Sequence, residues 1–405
     1  MEISMHSKIA IQFSSLLFCI LITWGQAFGQ ERMTKSGKEK PNQILEGAKV
    51  EIDLPLIYTS NAYKTPSERF VNPETGNWAT ATPTTGFYLN PTAKLGWNYD
   101  FLQNHGVVTE LKLKRIQFVG SDKLKDANGN SMKLELGYEG HFGEHNLRLG
   151  NMSEMNDQNY IHRGTGESRL TEIAHVPEGH RYKYKSSGTF ISYKYNIMKG
   201  SKIYFDLENS HKDYEEVVVF QSLDRDESLY RLTWSQRFTK AYKLRATHKI
   251  LTKHYTSHNA EDVQGNLVSG TSRTLVDTTD TLKFTFKRKP YLITPYITQF
   301  KSQDTYEGYW SYNEQEMGVQ IRYQFSKKLE TSLDVNTLNR QYENETNRLG
   351  ELRNRKARDY EFKWHYHLDD TSMANLSVDS YDQKDVDSYY SYNRLEITFG
   401  YNKEF

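Results

Sequence analysis

The residues best placed to do chemistry are cations set in rows. Arg231, Arg237, Lys243, Arg245, Lys249, Lys283 and Lys287 share one parity of three consecutive alternating segments, 228–238, 242–251 and 281–287, and no acidic residue shares it with them. Alternate residues of a strand show one face, so these seven would form a basic wall. Arg322 holds a matching position in the segment 316–325. Rings or ladders of Arg and Lys along an aqueous path select anions. The competing reading is that these charges pair with carboxylates of a folded-in loop, or only keep their face wet. His365 and His367 lie two apart on one face, ahead of Asp369 and Asp370. That spacing could chelate a metal ion, but there is no third ligand at a defined distance and solvated histidines are the better reading, so no metal is assigned. His175 and His180 are set aside on the same ground. Ser–His pairs can be drawn at will among 13 histidines, and none sits in a hydrolytic motif. Gly164-Thr165-Gly166 is not a nucleotide loop, because no helix follows it. The expectation is a chain with no cofactor, no catalytic group and no nucleic-acid partner.

The elements that must hold these residues are strands. In 359–368, Tyr360, Phe362, Trp364, Tyr366 and Leu368 oppose Asp359, Glu361, Lys363, His365 and His367. In 131–142, Met132, Leu134, Leu136, Tyr138 and Phe142 oppose Lys133, Glu135, Glu139 and His141. About sixteen such segments follow Val50, with fourteen as the alternative if the weakly periodic stretches 50–58 and 147–153 are discounted. Short connections fall near 102–106, 143–146, 198–202, 239–241, 288–291, 326–328 and 369–371. They alternate with long ones near 59–85, 119–130, 153–181, 212–227, 256–280, 302–314, 342–358 and 383–390. A soluble sandwich would bury the apolar face and a barrel in lipid would turn it outward, and parity alone does not separate the two.

The chain ends separate them. Leu395, Ile397, Phe399, Tyr401 and the terminal Phe405 form one apolar stripe ending on an aromatic residue. That stripe resembles the closing-strand signature of bacterial outer-membrane β-barrels, and the resemblance implies that it is read by the barrel-assembly machinery during insertion. At the other end, Lys8 precedes an apolar run through Ile22, with small residues at Ala27 and Gly29, which reads as a signal peptide over 1–29. Residues 30–46 are polar, contain Pro41 and read as a flexible periplasmic tail, leaving 47–405 as one barrel domain. Cys19 is the only cysteine and would leave with the leader, so no disulfide or thiolate chemistry remains. A mean hydropathy of −0.78 is too polar for a helical membrane protein, while a barrel tolerates it because half of each strand faces water. The 29 Tyr and 19 Phe suit strands bounded by aromatic girdles.

The fold class expected is therefore all-β: a transmembrane antiparallel up-and-down β-barrel with short periplasmic turns and long extracellular loops, in the bacterial outer membrane among its lipids and lipopolysaccharide. The mature chain resembles the porin-type barrels. In sixteen-stranded general porins the third loop folds into the barrel, so the resemblance makes Glu154, Asp157, Arg163, Glu167, Arg169 and Glu172 constriction candidates. The terminal stretch from Asp387 to Phe405 is also similar to the ends of porins linked to exopolysaccharide gene clusters and of surface-lipoprotein assembly modifiers. The first resemblance implies a channel for passive or selective diffusion of small solutes, and the basic wall points to anionic ones. The second implies an export conduit for exopolysaccharide or a surface protein, working with a separate periplasmic partner. A barrel-based adhesin or enzyme is the third reading.

Overall fold

The computed structural model describes residues 48–405, apart from 72–75, 121–123, 125–126, most of 159–181, 216–221 and 348. The expected leader and tail, 1–29 and 30–46, lie outside the described residues. Sixteen strands form the barrel. They are β1 (Ala48–Asp53, continuing as Leu56–Thr59), β2 (Gly86–Leu89, continuing as Thr92–Leu102), β3 (His105–Val119), β4 (Gly129–Phe142), β5 (His145–Gln158) and β6 (Tyr184–Met198). After them come β7 (Ser201–Tyr214), β8 (Arg225–Arg237), β9 (Tyr242–Tyr255), β10 (Thr274–Arg288), β11 (Tyr291–Asp304) and β12 (Tyr312–Gln324). The last four are β13 (Leu329–Thr346), β14 (Leu352–His367), β15 (Ser372–Asp385) and β16 (Tyr392–Glu404). Each pairs antiparallel with its chain neighbours, and β1 closes the ring: Leu56 stands opposite both Phe399 of β16 and Leu89 of β2. Closure leaves no unpaired edge, which lipid would not tolerate.

The two weakly periodic stretches are both barrel strands, so sixteen stands and fourteen falls away. In β1 the ladder is interrupted next to Pro55, which has no N–H to give. In β5 the outward positions include Asn151 and Ser153, so backbone pairing with β4 and β6 sets the strand without help from an apolar stripe.

The large apolar side chains point outward. Leu134, Leu232, Leu282, Phe362 and Phe399 are all exposed, and Phe362 keeps 43% of its surface open. Exposed aromatics recur beside the short turns, at Phe101, Phe142, Phe238, Tyr242, Tyr291, Phe325, Tyr366 and Tyr401, as a periplasmic girdle does. The turns are tighter than the sequence suggests, at 103–104, 143–144, 199–200 and 289–290. Gly200 has φ of +90°, and a Cβ there would meet the Arg237 carbonyl at 2.7 Å, so a side chain is excluded twice over. The long connections shrink as well: the stretch expected at 342–358 is a loop of 347–351 only. β13 and β14 run past the ~9–11 residues that cross a bilayer, and their outward faces then turn polar at Asn339, Gln341, Lys356 and Asn354.

The terminal stripe lies on the outer face of β16. Phe405 and Val50 exchange backbone hydrogen bonds at 2.8 and 3.3 Å, so the last residue helps to close the ring as well as ending the stripe. Deleting Phe405 is expected to reduce the heat-modifiable, membrane-inserted form at ordinary expression. Gel mobility of unheated outer-membrane fractions reads this, and full insertion of the deletion would remove Phe405 from the closing step.

Candidate functional site

The inward face of the barrel wall carries the charges. All seven expected cations lie on it, and the register brings them into directly opposed pairs: Arg237 faces Lys243, Arg231 faces Lys249, and Arg245 faces Lys283. Like charges directly opposite one another weaken a sheet, so strand pairing alone disfavours this arrangement. The charged groups acting on Lys243 are Arg245, Arg237 and Lys202, all cations. Among the described residues, Arg237, Lys243, Arg245, Lys249, Lys283 and Lys287 make no ion pair, while Lys283 lies 5.0 Å from the ring centre of Tyr296. Two of the candidates are paired. Arg231 binds Asp206 at 2.9 Å, and Arg322 binds Glu330 at 3.2 Å.

A second feature was missed in the sequence. Asp334, Glu361, Asp379 and Glu396 stand in one continuous cross-strand row over β13 to β16. Here cations are interleaved: Lys363 binds Glu361 at 2.7 Å, and Arg394 lies 3.5 Å from Asp379 and 3.6 Å from Glu396. The Tyr296 hydroxyl donates to Glu316 at 3.1 Å. Each carboxylate has the inward parity of its own strand, but only register places the four side by side.

The third-loop candidates divide. Glu154 and Asp157 are not on a loop: they belong to β5, where Glu154 accepts the Tyr184 hydroxyl at 2.7 Å and Asp157 binds Lys183 at 2.7 Å. The mixed polarity of β5 hid its upper half from a reading by alternation. Glu167 lies in a short strand paired with Ile161–His162, and Glu172 in one paired with Val176–Pro177. Arg163 and Arg169 fall outside the described residues, as do His175 and His180. At the mouth the first and second loops pack on each other, where Tyr63 joins Leu124 and Ala127 in a buried cluster against Phe118.

His365 and His367 are on the inward face near the periplasmic turn. The hydroxyls of Ser372 and Thr371, with the Thr371 amide, hold the Asp369 carboxyl well below the usual carboxylate range. Lys403 lies 3.6 Å from the same carboxylate. Asp369 is thus committed to its own turn, and among the described residues no three His, Cys, Asp or Glu side chains are grouped to hold a metal ion.

A closed sixteen-strand wall, with its large apolar side chains outside and its rows of charge inside, defines a transmembrane barrel of the porin type. No family model and no curated protein matches the chain. Among solved structures it is similar to OccAB1 of Acinetobacter baumannii, with a TM-score of 0.52 and 9% identity over 92% of this chain and 100% of that one. OpdK of Pseudomonas aeruginosa, solved with vanillate, gives a TM-score of 0.48 at 11% identity, covering 89% of this chain and 100% of that one. OmpT, an outer membrane protein of Vibrio cholerae, gives 0.49 at 9% identity, covering 88% and 99%. At such identities the likeness is one of fold, and the fold is that of an outer-membrane β-barrel.

Proposed function

We propose that the protein is a non-enzymatic outer-membrane channel for diffusion of small anionic solutes. One observation carries this reading: three directly opposed like-charge pairs on the inner wall, five of whose six members make no ion pair among the described residues, while the acidic row has cations interleaved. Uncompensated charge in a confined aqueous path raises the local concentration of counter-ions. Anions are then enriched along β8 to β10. Arg231 contributes least, because Asp206 already neutralises it.

The test is the reversal potential of reconstituted channels in a salt gradient. Wild type is expected to prefer anions, and Lys243→Glu/Arg245→Glu/Lys283→Glu to prefer cations. The difference should fade as salt rises, since the Debye length falls from about 10 Å at 0.1 M to about 3 Å at 1 M. Cation preference in wild type, or no shift in the triple variant, would dismiss the basic wall as the selectivity element.

A further inference from the structure

Away from the basic wall, described residues of the first two extracellular loops pack over β1 to β3, β5 and β16 and border an open-mouthed cavity of about 420 Å³. The first loop is held there by the Asn61 side chain and by backbone bonds. Asn61, almost wholly buried, accepts the Thr65 amide at 2.7 Å and donates to the carbonyls of Thr65 and Asn393 at 2.9 and 3.1 Å. The Ala62 amide donates to the Thr84 carbonyl at 2.8 Å. Leu124 of the second loop is fully buried against this turn, and a Cβ at position 86 would collide with it, so Gly86 admits the close approach. The loop side of the cavity is therefore fixed in place, and the cavity's volume lies within the ~300–1,000 Å³ of small-molecule sites.

The chemistry of the wall narrows the occupant. Tyr88 and Phe118 pack with ring centres 5.0 Å apart and give an aromatic face. Asn156 and Gln158 bring side-chain amides from β5, which offer both donors and acceptors. Arg394 and Glu396 supply a charge-compensated pair, in which Glu396 also accepts the Tyr88 hydroxyl at 3.2 Å. An anion entering here would meet the carboxylate of Glu396, and a cation would meet Arg394 and Lys64. An aromatic face beside amides and a neutralised ion pair suits a ring with one apolar C–H face and a rim of hydroxyls. We propose that this cavity binds a neutral saccharide of one or two rings. The inference goes beyond the channel reading and does not rest on it.

Calorimetric titration of the detergent-folded mature protein tests it without requiring conductance. The probes are glucose, maltose and cellobiose, with galacturonate as the charged comparison, each at low and high salt. At least one neutral sugar is expected to bind with an affinity that salt leaves unchanged. Tyr88→Ala and Gln158→Ala should each weaken it about tenfold, or about 1.4 kcal/mol, while Lys243→Glu on the basic wall should not. If Tyr88→Ala fails to fold, Gln158→Ala alone decides. Binding of none of the neutral sugars, binding of galacturonate alone with an affinity that falls with salt, or wild-type affinity in Gln158→Ala would each overturn the proposal while leaving the channel reading intact.

Discussion

Arg353→Ala is expected to destabilise the extracellular rim by roughly 3–5 kcal/mol, because it strips the cation from a buried charge network. The Arg353 side chain, only 5% exposed, bonds Glu345 and lies 3.0 Å from Asp385, whose own side chain is fully buried. It also stacks against Tyr342 at 4.6 Å and Tyr390 at 4.0 Å. Arg355 would still reach Asp385 at 3.1 Å, so most of the loss falls on Glu345. Arg353→Lys should recover only part of it, since lysine has neither the planar fork nor the stacking face. The damage should spread to the first loop. Ser67 donates to the Ser391 carbonyl at 2.9 Å and Phe70 packs on Tyr389 at 5.4 Å, so the loop side of the sugar cavity leans on the same rim. The denaturation midpoint in bilayers, with hydrogen exchange over 61–70 and 386–391, reads both effects. An unchanged midpoint would mean that water already solvates Glu345 and Asp385.

Phe362→Arg should cost roughly 2–4 kcal/mol of barrel stability in a bilayer, whereas Lys363→Ala should cost little. Phe362 stands between Leu333 and Val378 on the lipid face, and an arginine there must either desolvate or thin the membrane around it. Lys363 faces the lumen, where it binds Glu361 at 2.7 Å with 39% and 30% of the two side chains exposed. A pair so hydrated is worth at most about 1 kcal/mol. Equal shifts of the unfolding midpoint for the two variants would show that the faces have been assigned the wrong way round.

What the sequence determined by itself is the strand and its two faces. A period of two is a local property, so Tyr360 to Leu368 announces its lipid side without reference to any partner, and the stripe from Leu395 to Phe405 does the same for β16. The order of short and long connections then oriented the barrel, with sixteen strands or fourteen, and the structure decided for sixteen. Strand ends were less legible. Beyond the hydrocarbon band both faces meet water, alternation vanishes, and β5 therefore runs through Glu154 and Asp157 where a loop was expected. Only the tertiary structure decided which charges meet. Arg231 finds Asp206 from 25 positions away, and Asp334, Glu361, Asp379 and Glu396 line up because four strands pair in one register. The first loop reaches across the closure of the ring, from Asn61 to Asn393, 332 residues along the chain. No local pattern encodes that contact, since it exists only once β1 has paired with β16 and brought both ends of the chain to the same mouth.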